Sequence, residues 1–141
     1  MISEYLANAL LNAVLDGSAY SSPTNVHLGL SKGPPVFQTA TVATEVSGGA
    51  YARQQMSFAT ADDGIDLNDT KLTFPNASGA DWSTEADPIT HWFIADGTTE
   101  GADNWLFAGK LECPLVVSDG DAGPVVYQKA IMVSLRGQLD S

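Results

Sequence analysis

Cysteine is almost absent from this chain, and its single copy, Cys113, excludes an internal disulfide framework and a zinc knuckle, since each needs at least two. Beside Pro114 it reads as a small buried apolar residue in a chain suited to a reducing cytosol. Basic residues are nearly as scarce: six Lys and Arg stand against seventeen Asp and Glu, a formal charge of −11. That balance opposes binding to nucleic acid or to an anionic membrane, where each phosphate contact calls for a cation. No apolar run approaches the ~18 residues a membrane span requires, and Met1-Ile2-Ser3-Glu4 lacks the basic region of a signal peptide.

Catalytic signatures are missing too. No Gly-x-Ser-x-Gly setting holds a nucleophile, His27 and His91 lack metal-ligand spacing, and no glycine-rich phosphate loop is present. The acidic stretch Asp62, Asp63, Asp66, Asp69 does not have the alternation, the sixth-position glycine and the twelfth-position glutamate of a calcium loop, and reads as a hairpin turn. The expectation is therefore a protein that is not an enzyme, with no catalytic residue, no metal and no cofactor. With 141 residues in one expected domain, 1–141, the chain can bury close to ~70% of its unfolded surface and needs no staple.

What is present is β pattern, after one helix. Ser3 can cap a helix over 3–16 that Gly17 ends, with Leu6, Leu10, Ala13 and Val14 on one stripe. Leu11 and Leu15 widen the stripe beyond what one sheet needs, which points Leu10, Leu11 and Val14 toward a neighbouring subunit. Strands follow at 26–30, 51–59, 71–74, 91–95, 105–111, 116–117, 125–127 and 131–135, giving seven or eight in all. Trp92 and Ile94 share one face and Phe93 and Ala95 the other, so that strand is expected in the middle of a sandwich. Short strands with closely spaced turns favour a mainly β fold, an antiparallel sandwich or jelly-roll-like domain over 25–136, with one N-terminal α-helix. Two long loops interrupt it, 32–47 with Pro34, Pro35 and Phe37, and 76–88 with Trp82; loops above roughly 12 to 15 residues are usually functional or disordered. Pro34, Pro35, Phe37, Trp82 and Trp92 are accordingly candidate partner contacts, Trp82 having either to cover core or to meet a partner.

The stretch Glu45-Val46-Ser47-Gly48-Gly49-Ala50-Tyr51-Ala52-Arg53-Gln54 organises the rest. Ser47-Gly48-Gly49 tolerates positive φ, and the strand after it divides Ala52, Gln54, Met56 and Phe58, expected on the core, from Tyr51, Arg53, Gln55 and Ser57. Arg53 is then directed outward or into an interface, with Glu45 its nearest candidate partner.

This stretch, with Tyr5-Leu6, Leu10-Leu11, Gly17-Ser18-Ala19-Tyr20, Thr73-Phe74-Pro75, Asp81-Trp82, Ile89-Thr90-His91 and Val117-Ser118-Asp119-Gly120-Asp121 in that order, resembles a family of small virion proteins of tailed bacteriophages. The resemblance covers roughly 3–121 and departs at His91-Trp92-Phe93-Ile94-Ala95-Asp96 and from Ala122 onward. It implies a structural protein of the virion, assembled in the host cytoplasm. The first form of that reading is a capsid decoration (cement) protein, a homotrimer bound to the major capsid protein on the outer head lattice; the alternative is a tail or tail-fibre component contacting the host surface. Glu45, Gly48, Gly49, Tyr51 and Arg53 are then the structural motif.

Overall fold

The computed structural model describes residues 1–136, so residues 137–141 of the expected domain lie outside the described residues. Helix α1, Glu4–Leu15, begins where expected: the Ser3 hydroxyl accepts the Leu6 N–H at 3.2 Å. Gly17, at φ +70°, turns the chain out of it.

Among the described residues eight strands follow: β1 Val26–Ser31, β2 Gln54–Met56, β3 Ile65–Leu67, β4 Leu72–Thr73, β5 Ile89–Ala95, β6 Trp105–Leu115, β7 Val125–Val126 and β8 Met132–Ser134. A four-stranded antiparallel sheet runs β2-β1-β5-β6, and two antiparallel ribbons, β3-β8 and β4-β7, stand apart from it. Among the described residues the fold is mainly β, antiparallel, with a single N-terminal helix, as the sequence pattern indicates. Facing the sheet are two-stranded ribbons and loops rather than a second continuous sheet.

Strand β5 sits inside the sheet and is apolar on both faces. Ile94, with Trp92 packed alongside, joins Leu28, Leu30, Met56, Leu72, Phe74, Trp82 and Ile131 in the main core. Phe93 and Ala95 face the other way, into a smaller cluster with Trp105, Ala108 and Val42. Loop 32–47 covers that second cluster, so the alternation along β5 reflects packing on two sides. Phe93 lies across Gly29 of β1, its register partner, so closely that a Cβ at Gly29 would fall 2.2 Å from the ring. Trp92 repeats the arrangement on the opposite face over Gly109 of β6. These two glycines are bare because an aromatic ring from the next strand occupies the space a side chain would need.

The expected strand 51–59 is shorter than its pattern, and its faces are reversed at the start. Only Gln54–Met56 joins the sheet, Ala52 is exposed, and Tyr51 and Arg53 are buried. The chain enters this strand from a corner in which Gly48, Gly49 and Ala50 all have positive φ (74°, 56° and 63°), which rotates Tyr51 and Arg53 inward before regular pleating begins.

Candidate functional site

The corner and its two buried polar side chains form a closed network. Arg53 donates from Nε to Glu45 Oε1 at 2.7 Å and from Nη2 to Glu45 Oε2 at 2.8 Å, a bidentate fork. Its Nη1 donates to the Gly97 carbonyl at 3.0 Å and lies 3.5 Å from Asp103. The guanidinium carbon stands 5.3 Å from the centroid of the Phe93 ring, so the charge is held between a carboxylate and an aromatic face. Tyr51 completes the set: its hydroxyl accepts the Leu30 N–H at 2.9 Å and donates to Glu45 Oε1 at 3.1 Å. Burial, then the Glu45 charge, push the Tyr51 hydroxyl pKa well above the ordinary tyrosine range, so it remains a donor. Burial alone would lower the Arg53 pKa, but the Glu45 hydrogen bonds and charge outweigh it and leave it raised.

Arg53, expected to point outward or into an interface, is instead enclosed within the chain. The reason is local: Glu45, the partner expected for it, is itself withdrawn from solvent, and the Asp96 to Asn104 turn closes over the pair through the Gly97 carbonyl. The same corner anchors the second long loop. Gly49 O accepts the Trp82 Nε1–H at 2.7 Å and the Ser78 N–H at 3.0 Å, and a Cβ at Gly49 would fall 2.5 Å from the Ala80 carbonyl. Trp82 is 1% exposed and meets Tyr51 edge to face at 5.4 Å. Of the two roles open to Trp82 it fills the first, covering core, so it is not available as a partner contact.

The remaining candidate contacts divide by the same test of exposure. Pro35 is buried, and Leu10 and Trp92 are half-buried, Trp92 in an open groove of about 460 Å³ with Met1, Ile2 and Met132. Pro34 is exposed, and so are Leu11 at 55%, Val14 at 78% and Phe37 at 43%. Leu15, 79% exposed, belongs with Leu11 and Val14 on one flank of α1. Only the first turn of the helix is held: Ser3 N–H donates to Leu106 O at 2.9 Å and Glu4 N–H to Phe37 O at 3.0 Å, and Leu6 is its one buried side chain. In the distal half Leu11, Val14 and Leu15 are uncovered, while Leu10 and Ala13 on the other side are half-buried. Sequence periodicity placed Val14 on the core stripe with Leu6, but Leu6 is buried and Val14 is exposed.

Loop 32–47 is less free than its composition indicated. Lys32 N–H donates to Thr44 O at 2.9 Å, Val46 N–H to Leu30 O at 3.0 Å, and the Trp105 Nε1–H to Thr39 O at 2.8 Å. Its exposed large apolar side chains are Val36 and Phe37. Cys113, expected to be buried, is exposed near the end of β6.

Among the described residues no three His, Cys, Asp or Glu side chains cluster in a way that could hold a metal ion. His27 has a buried Nδ1 without a hydrogen-bond partner, and burial followed by the Arg53 charge lowers its pKa. Burial followed by Lys110 lowers that of His91, whose Nδ1 lies 2.7 Å from Thr90 Oγ1.

No helix among the described residues is long and apolar enough to cross a membrane. Compared with known proteins, residues 1–134 match the family described as "Podophage GP4 fiber I protein gp80". That span runs past Ala122, where the motif resemblance ended. No curated protein matches the chain.

Proposed function

The chain belongs to the podophage GP4 fiber I protein family, a family of phage structural proteins, and on that premise we propose that it is a tail-fibre component of the virion that acts by presenting and burying surface. The family description favours this over the decoration reading, in which the partner would be the major capsid protein.

The observation that carries the proposal is the distal half of α1. Helices shorter than about 12 to 15 residues are marginal in water on their own, and most helical stability in proteins comes from packing an apolar face. Here Leu6 is the one buried side chain of the twelve-residue helix, and Leu11, Val14 and Leu15 stand open to solvent. A partner that covers those three side chains supplies the missing packing. The partner we assign is a second copy of the chain: three copies about one axis close a ring of heterologous contacts, each helix lying on a different surface of its neighbour.

Sedimentation equilibrium of the purified protein tests this. Three times the 14.8 kDa chain mass is expected, falling to the monomer mass for the Leu11→Glu/Leu15→Glu double variant with its β circular dichroism unchanged. A wild-type protein that stays monomeric at high concentration would remove the helix as an assembly surface.

A further inference from the structure

At the first turn of α1, on the same helix face as Leu11 and Leu15, the helix and the tip of loop 32–47 enclose an open groove of about 240 Å³ lined by Glu4, Tyr5, Asn8, Phe37, Gln38 and Asn104. Its lining combines two features that rarely coincide on a surface built only for solubility. Tyr5 and Phe37 are each 43% exposed, and both line the groove. Around them stand planar polar groups with capacity to spare: among the described residues the Asn8 and Gln38 amides make no hydrogen bond to the protein, and Asn104 uses its Nδ2 on Asp96 at 2.9 Å and keeps its side-chain oxygen free.

The groove is also rigid without a ligand. Glu4 N–H holds Phe37 O at 3.0 Å, Thr39 N–H closes a turn on Val36 O at 3.0 Å, and Trp105, fully buried, fastens the next residues through Nε1–H to Thr39 O at 2.8 Å and N–H to Ala40 O at 2.9 Å. Asn104 is fixed from the other side, its N–H donating to Asp96 Oδ1 at 2.9 Å. A site whose walls are already ordered does not lose binding energy to ordering them. Tyr20 stands close by, near enough to Tyr5 and Asp96 that, after burial, both raise its hydroxyl pKa.

We propose that this groove is a saccharide subsite, taking a neutral oligosaccharide whose sugar rings stack on Tyr5 and Phe37 while their hydroxyls bond Asn8, Gln38, Asn104 and Glu4. Sugar rings present one apolar C–H face and an edge of paired hydroxyl donors and acceptors, which is what an aromatic wall with amides and a carboxylate complements. Charge sets the class. Glu4 lines the groove, Asp96 stands behind Asn104, and the chain carries −11, so sialylated or phosphorylated sugars are repelled. A single shallow site of this kind binds weakly, and several copies on one fibre would raise the apparent affinity through multivalency.

The inference rests on the fibre reading for its purpose, but its test does not. The purified protein is titrated, with backbone amide shifts followed by NMR, against soluble gluco-, galacto- and manno-oligosaccharides and against a sialylated oligosaccharide. The expected result is a saturable shift of Tyr5, Asn8, Phe37, Gln38 and Asn104 with at least one neutral sugar, none with the sialylated one, and no shift of Leu15. Tyr5→Ala and Phe37→Ala should each weaken binding about tenfold, and Gln38→Ala, which removes only hydrogen bonds, should weaken it less. No shift with any neutral sugar, shifts confined elsewhere, or an undiminished affinity in both aromatic variants would overturn the subsite. Sugar binding by a protein located on the head would leave the subsite standing and overturn the fibre reading alone.

Discussion

Arg53→Ala is expected to destabilise the protein by roughly 3–5 kcal/mol, because removing one member of a buried ion pair leaves the other uncompensated in a low-dielectric site. Glu45 would be that member: its side chain is 5% exposed and would keep only the Tyr51 hydroxyl, while the Gly97 carbonyl would lose the donor that ties the Asp96 to Asn104 turn to the corner. At roughly 2–4 °C per kcal/mol for a chain of about this length, the melting temperature should fall by about 10 °C. Buried pairs replaced whole behave differently, since desolvation of two charges offsets much of their attraction. Glu45→Leu with Arg53→Met should therefore cost less than Arg53→Ala alone. Urea unfolding of Arg53→Ala and of the double variant decides it; an Arg53→Ala midpoint equal to wild type would show that the network does not hold the corner.

Trp82→Ala is expected to cost a similar amount, roughly 3–5 kcal/mol, through packing rather than charge. The side chain meets Tyr51 at 5.4 Å and Phe74 at 6.3 Å, both close to edge-on, and fills the space between the Gly49 corner and the main core. The hydrogen bond it gives Gly49 O is the smaller part, because that carbonyl would still accept the Ser78 N–H. Trp82→Phe, which keeps a ring but not the donor, should recover more than half of the loss. Near-ultraviolet circular dichroism together with thermal unfolding measures both; a Trp82→Ala protein of wild-type stability would mean that the aromatic trio is not a support of the core.

The sequence disclosed a good deal of this. Alternation in His91 to Ala95 correctly separated Trp92 and Ile94 from Phe93 and Ala95, because a strand covered on both sides must be apolar on both. The glycine corner and the pairing of Arg53 with Glu45 were also legible, since few residues tolerate positive φ and few acids lie near that arginine. The direction of Arg53 was not. A period of two predicts faces only where the chain is already pleated, and three consecutive residues with positive φ delay pleating until Gln54. Trp82 could not be assigned from sequence because an aromatic residue in a polar loop satisfies core and interface equally, and the Gly49 carbonyl that chose between them lies 33 residues away. The Tyr5 and Phe37 groove was invisible for the same reason: its walls come from the helix, a loop and the turn before β6, and only the fold brings them together.

Cryo-electron microscopy of the virion tests the central claim most directly. The account predicts density for this fold in the tail fibres, in a small number of copies, with Leu11, Val14 and Leu15 of α1 covered by a neighbouring subunit. Hundreds of copies spread over the head lattice, with that face of the helix open to solvent, would contradict it.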